Sequence, residues 1–338
     1  MSLSLQVEVR RGAIVESRHR IEAAVVDAEG RLQASTAEPE LVTSFRSSAK
    51  PFQLLALVER GHAERWGFSD EQLAVMAASH TGSAHHRSLV AAILERIDLT
   101  PAQLACGFHE PIDPESLAEV RARPELRGPL YNNCSGKHAG MLALARAEGW
   151  PVEGYEKPEH RVQQLALGAV SDVCGVLGDE IATGTDDCGV VVFGLTLTAM
   201  ARGYARLAAA QDSGEARERA LHRIPNAMSA FPRAVGGAQR FSTRLMEACR
   251  GRLVAKGGAE GLECIGVVGR GLGITLKATD GAARAVGPAA VALLDRLGLL
   301  GDDECERLQS AREPIFQNHA GRDVGRLTAV VEVMSPTG

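Results

Sequence analysis

The chain has 338 residues, 45% of them hydrophobic and 4% aromatic, so its core must be built chiefly from short apolar side chains, and its length permits one large domain or two modest ones. A formal net charge of −5 without a basic run argues against a nucleic-acid footprint, and no apolar run is long enough to span a bilayer. The N-terminus, MSLSLQVEVRRG, lacks the apolar core of a signal peptide, which makes the cytoplasm the expected address.

In chain order, residues 5–15 and 20–26 are β-rich and partly alternating and predict antiparallel strands, followed by a turn at Asp27-Ala28-Glu29-Gly30. Residues 48–60 open like a helix, with Ser48 near the cap, Pro51 in the first turn and Gly61 as the stop. Helices are expected at 70–78 and 84–97, with a short one at Thr100-Pro101. Several prolines make 107–133 an expected irregular connection. Helical patterns return at 138–148, 158–177 and 189–211. Residues 262–268 and 273–279 then read as strands, 286–299 as a helix and 325–334 as a closing strand.

Strands at both ends with helices between predict an α/β (α+β) fold, an antiparallel sheet from both termini flanked by helices, with a central helical lobe. The expected division is a single catalytic unit over 1–338, its sheet-containing part at about 1–60 and 240–338 and its helical part at about 61–239.

Seven cysteines without a secretion signal fit reduced thiols or metal ligands better than a disulfide framework. Of 37 basic residues only five are lysines, and Lys50, Lys137 and Lys256 lie in small-residue contexts: SSAK, CSGKHAG and AKGGAEG. Lysine, unlike arginine, can give up its proton.

Ser47 and Lys50 stand three apart at a helix start, where they share a face. A desolvated lysine can take the proton from a serine nucleophile, and a helix N-terminus offers free N–H groups to an oxyanion. A capping serine beside a surface lysine is the competing explanation. Ser79-His80-Thr81 and Lys256-Gly257-Gly258 are imperfect matches to the second and third motifs of penicillin-recognising serine enzymes, in the right order.

Gly136-Lys137 is not a phosphate loop, because Tyr131 and His138 occupy positions that need Gly and Ser/Thr. Gly269-Arg270-Gly271-Leu272-Gly273 fails as a dinucleotide fingerprint, since it precedes a strand. Cys134, Lys137 and His138 in one turn, with Cys188 later, include soft donors suited to zinc. Two unrelated buried cysteines, or a Cys134–Cys188 disulfide, would explain the same spacing.

FRSSAKPFQ, ASHTG, NNCSGKHAGML, TDDCGVV and AKGGAEG, in this order, resemble the asparaginase II family, the class 3 or rhizobial-type L-asparaginases. The resemblance implies a serine-β-lactamase-like fold, a homodimer and hydrolysis of L-asparagine to aspartate and ammonia. It implies Ser47 as nucleophile with Lys50 as base, Ser79 and Lys256 as a second Ser-Lys pair, and a zinc ion held by Cys134, Lys137 and Cys188. Asp186, with His80, Arg46 and Asn133 beside the motifs, is expected at the substrate. His138 is the rival third ligand, imidazole being the commoner choice. A glutaminase, a broader amidase or a penicillin-recognising serine hydrolase stays open, because one methylene is worth only about 1–3 kcal/mol of discrimination. A zinc-binding protein without turnover is the alternative from another class.

Overall fold

The computed structural model describes residues 1–212 and 214–334. The strands are β1 (Leu3–Arg11), β2 (Ile14–Asp27), β3 (Leu32–Ser35), β4 (Val42–Ser44), β5 (Ala182–Thr185), β6 (Val191–Thr196), β7 (Leu253–Gly258), β8 (Leu262–Val267), β9 (Leu272–Ala278), β10 (Ile315–Gln317) and β11 (Asp323–Val333). Two compact units are present: Met1–Ser48 with Leu195–Ala209 and the chain from Arg244 onward, and Ala49–Gly194 with Ala210–Thr243.

The first unit holds the sheet. Among the described residues eight strands pair in the order β10-β11-β1-β2-β9-β8-β7, with β3 on β2. The two ends of the chain meet in its register, with Leu5 opposite Val331 and Val9 opposite Leu327. All neighbours are antiparallel. Successive side chains on a strand point to opposite faces, yet every residue of β8 is buried, so both faces of the sheet centre are covered. The helix Leu197–Ala209 packs on β2, β8 and β9, and the helix Val286–Arg296 on β1, β9 and β11. Gly273 permits the first of these contacts: a Cβ there would lie 1.8 Å from the Ala201 carbonyl oxygen.

The second unit is mostly helical. Its longer helices are Ala84–Arg96, Ser135–Glu148, Arg161–Cys174 and Ala216–Ala230. Ser69 and Gln72 form a capping box on the helix Asp70–Met76, and the Ser83 side chain caps Ala84–Arg96. The Asp70–Met76 and Ser135–Glu148 helices cross at Gly136, where a Cβ would sit 2.1 Å from the Val75 carbonyl oxygen. Only glycine admits that approach. No described helix is long and apolar enough to cross a membrane.

Several elements differ from the expectation. The first strand does not run through 5–15. Gly12, at φ +56°, turns the chain between Arg11 and Ile14, which face each other. The connection 107–133 contains the helix Pro114–Ala122, because Asp113 accepts from Ser116 N and Pro114 takes the first helical position. Residues 189–211 are not one helix: β-branched Val190–Val192 favours the strand β6, and the helix starts at Leu197. The expected helix 48–60 is broken at Leu54, after a 3-10 turn over Arg46–Ala49. The AKGG segment, for which no separate strand is expected, forms the end of β7.

Candidate active site

In the helical unit the chemistry-bearing side chains converge. Ser79 follows the short helix Asp70–Met76, and its backbone N–H donates to the Val235 carbonyl at 3.0 Å. Lys50 opens the helix Lys50–Gln53 and is 1% exposed. Its Nζ donates to the Ala78 carbonyl at 2.6 Å, to Ser79 Oγ at 2.8 Å and to Cys134 Sγ at 3.2 Å. Burial pushes the Lys50 ammonium below its ordinary range, Cys134 opposes that shift and the Lys137 cation adds to it. A lysine that releases its proton more readily and touches a serine hydroxyl has the two properties of a base.

Cys134 stands at the cap of the helix Ser135–Glu148, and Lys137 lies three residues on, sharing its face. Cys188 comes from the turn between β5 and β6, where Asp186 N donates to Val190 O at 2.8 Å and Gly189 takes φ +92°. Lys137 Nζ donates to Cys188 Sγ at 2.9 Å and stands 3.9 Å from Asp186 Oδ2. Cys134 is held well below the usual thiol range, first by a hydrogen bond with Cys188 and then, against burial, by the Lys50 and Lys137 cations. Cys188 is pushed the other way, first by the same hydrogen bond and then by burial. Burial works against the charge of Lys137, but Cys134, Cys188 and Asp186 outweigh it and raise its pKa.

Whether this donor set suits zinc depends on its chemistry. Among the described residues no three His, Cys, Asp or Glu side chains gather as a metal-binding group. Cys134 and Cys188 gather with Lys137 instead, and two sulfurs plus an amine nitrogen within one buried cluster fit a borderline-soft cation, provided Lys137 gives up its proton. His138 uses Nδ1 on the Tyr155 hydroxyl at 2.6 Å, and its buried Nε2 has no hydrogen-bond partner among the described residues. Burial, with Lys137 and Lys50, drives the His138 pKa well below the usual value, so the ring is neutral.

His80 is fully buried, and both ring nitrogens are engaged, with Gly82 N at 3.1 Å and Ser135 Oγ at 2.9 Å. Its backbone N–H donates to the Asn133 carbonyl at 3.1 Å, so His80 and Asn133 brace the Ser79 loop against the start of the Cys134 helix. Asn132, the first residue of NNCSGKHAGML, is not among the expected site residues but holds the start of this helix. Its Oδ1 accepts from Cys134 N at 2.9 Å and its Nδ2 donates to the Cys106 carbonyl at 2.8 Å. An Asn two residues before a helix cap is a local signal that could have found it.

Ser47, Arg46 and Lys256 lie in the sheet unit. Ser47 is half-buried in the 3-10 turn Arg46–Ala49. Arg46 takes φ +44°, a left-handed conformation that is unusual for a non-glycine residue. Lys256, on β7, is 3% exposed, and its Nζ donates to the Gly257 carbonyl at 2.7 Å. Ser48 Oγ donates to the Lys256 carbonyl at 2.7 Å.

The sequence profile of the family described as L-asparaginase II matches residues 7–329. Among solved structures, Mglu in its glutamate form is 16% identical with a TM-score of 0.46, the match covering 83% of this chain and 61% of Mglu. The chain thus spans about three fifths of that protein's length. A β-lactamase from Mycobacterium bovis is 16% identical with a TM-score of 0.42, over 82% of this chain and 94% of that one. No curated protein sequence matches the chain.

Proposed function

We propose, for a chain that belongs to the L-asparaginase II family, that it hydrolyses L-asparagine to L-aspartate and ammonia by Ser-Lys nucleophilic chemistry beside a zinc site. The observation that supports Lys50 as the base in this reading is its buried hydrogen bond of 2.8 Å from Nζ to Ser79 Oγ, with the lysine's pKa pushed down by burial; Ser47 as the nucleophile rests on the family resemblance.

Ser47 supplies the nucleophile. Its Oγ bonds to the side-chain amide carbon as Lys50 takes the hydroxyl proton. The C–N bond then breaks, the nitrogen receives a proton and leaves as ammonia, and water hydrolyses the aspartyl ester. Ser79 and Lys256 serve as the second Ser-Lys pair, with Ser79 suited to relaying a proton because it already accepts from Lys50. Asp186, whose backbone is fixed in the β5–β6 turn, would face the ammonium group of the substrate, and Arg46 its carboxylate. His80 and Asn133 act by holding the Ser79 loop. Cys134, Cys188 and Lys137 would hold the zinc ion, which when bound would supply a weak Lewis-acid centre that orients a polar substrate.

The test is ammonia release from L-asparagine and L-glutamine by the purified protein, with and without a chelator. Release from asparagine at much the higher kcat/KM supports the reading. Preference for glutamine would make the protein a glutaminase, and release from neither would favour binding without turnover. A homodimer belongs to the same proposal and is checked by light scattering.

A further inference from the structure

We infer that Tyr204 is a positioning residue that holds the turn carrying Ser47, an inference that rests on the reading of Ser47 as nucleophile. The turn is strained where Arg46 takes φ +44° immediately before Ser47. Such a conformation persists only where the surroundings over-determine it. Tyr204 touches the turn on both sides of the Arg46-Ser47 pair. On one side its ring meets the buried Phe45 edge-on, with centroids 6.4 Å apart and planes at 68°. On the other its hydroxyl donates to the Ser48 carbonyl at 2.8 Å.

The anchor is stiff. Tyr204 is fully buried on the helix Leu197–Ala209, seated on the sheet where Gly273 faces Ala201. Ser48 is also fully buried and makes two more bonds, from its N–H to the Phe45 carbonyl at 3.1 Å and from Oγ to the Lys256 carbonyl at 2.7 Å. The strand side is open enough because residue 258 is glycine; a Cβ there would stand 3.2 Å from Ser48 Oγ. The turn before and after Ser47 is thus clamped between one tyrosine and β7, the strand that bears Lys256.

Phenylalanine would fill the same space and keep the contact with Phe45, so the hydroxyl is the part that fixes the Ser48 peptide. A nucleophile displaced by a fraction of an ångström loses rate in the chemical step while substrate binding is spared.

Tyr204→Phe, Ser48→Ala and Ser47→Ala are compared with the wild type in kcat and KM for L-asparagine, well below each variant's Tm. Tyr204→Phe is expected to lower kcat about 10–100-fold with KM within about twofold, and Ser48→Ala to lower kcat in the same direction by less. A normal kcat with only a lowered Tm, or a raised KM at normal kcat, would show a purely structural or binding role and overturn the inference. Should Tyr204→Phe not fold, Ser48→Ala decides, because it loosens the same turn from the β7 side. Activity in Ser47→Ala would overturn the nucleophile reading itself. An inactive Ser47→Ala beside a fully active Tyr204→Phe would overturn this inference alone.

Discussion

The two units hold their reactive groups by different physics. In the helical unit Lys50, Cys134, Lys137 and Cys188 are ionisable, buried and in mutual contact, so each sets the protonation of its neighbours. In the sheet unit the turn carrying Ser47 is held by neutral hydrogen bonds to backbone carbonyls, from Tyr204 and from Ser48. The first arrangement can be broken by removing a proton site or by adding a cation. The second yields only to lost geometry. On the proposed reading, activity depends on an electrically coupled cluster and on a rigid mount, and the two should fail differently when perturbed.

The largest effects are expected at the Ser-Lys groups. Ser47→Ala should abolish turnover. Lys50→Arg and Lys256→Arg should each lower kcat about 10²–10⁴-fold, the usual worth of a general base, because guanidinium keeps its proton. Steady-state kinetics beside the Tm of each variant checks this. An arginine variant with most of its activity would make that lysine an electrostatic fixture and erase half of the contrast between the units.

Chelation sharpens the contrast from the other side. If the proposed zinc is bound, its removal should raise KM about 10–150-fold, equivalent to losing one charge-assisted contact of about 1.5–3 kcal/mol. kcat at saturating asparagine should stay near normal, since two thiolates leave a bound zinc with little residual charge. Kinetics of metal-free and zinc-restored protein give both constants. A large fall in kcat, reversed by zinc, would show that the metal shares in the chemical step.

A smaller effect concerns acid stability. Glu148, at the end of the helix that bears Cys134 and Lys137, accepts from Arg60 at 2.6 and 2.9 Å and meets His62 at 2.6 Å. The Arg60 bond first, then His62, lowers its pKa from 4.5 to about 2. A depressed carboxylate contributes stability that is present above its unfolded pKa and lost as pH falls through the folded one. Thermal unfolding followed between pH 4.5 and 2 should thus show a loss that Glu148→Gln reduces. An unchanged slope in Glu148→Gln would remove this residue from the account.

Much of this was legible in the chain. Lysine is scarce here, and that scarcity alone marks Lys50, Lys137 and Lys256 in the sequence. The antiparallel sheet from both termini followed from alternating segments at the two ends, and it is present. The AKGG strand and the helix after Asp113 were hidden by glycine and proline, whose local preference for turns was overridden by pairing with β8 and by an N-cap. Lys137 as a metal ligand is implied only by the family resemblance, because spacing alone slightly favours two unrelated buried cysteines and imidazole is the commoner ligand. Tyr204 carried no signal at all: it lies 156 residues from Ser48, and nothing in its own helix distinguishes it from a core aromatic.

The central claim is that Ser47 attacks the amide, and an acyl-enzyme is its most direct witness. Protein quenched in acid during turnover of L-asparagine, cut after arginine and lysine except before proline, separates the segment 47–60 from 66–87, which contains Ser79. The account predicts an aspartyl adduct on 47–60 that fragmentation assigns to Ser47 and that Ser47→Ala lacks. An adduct on Ser79, or on Ser48, would contradict it.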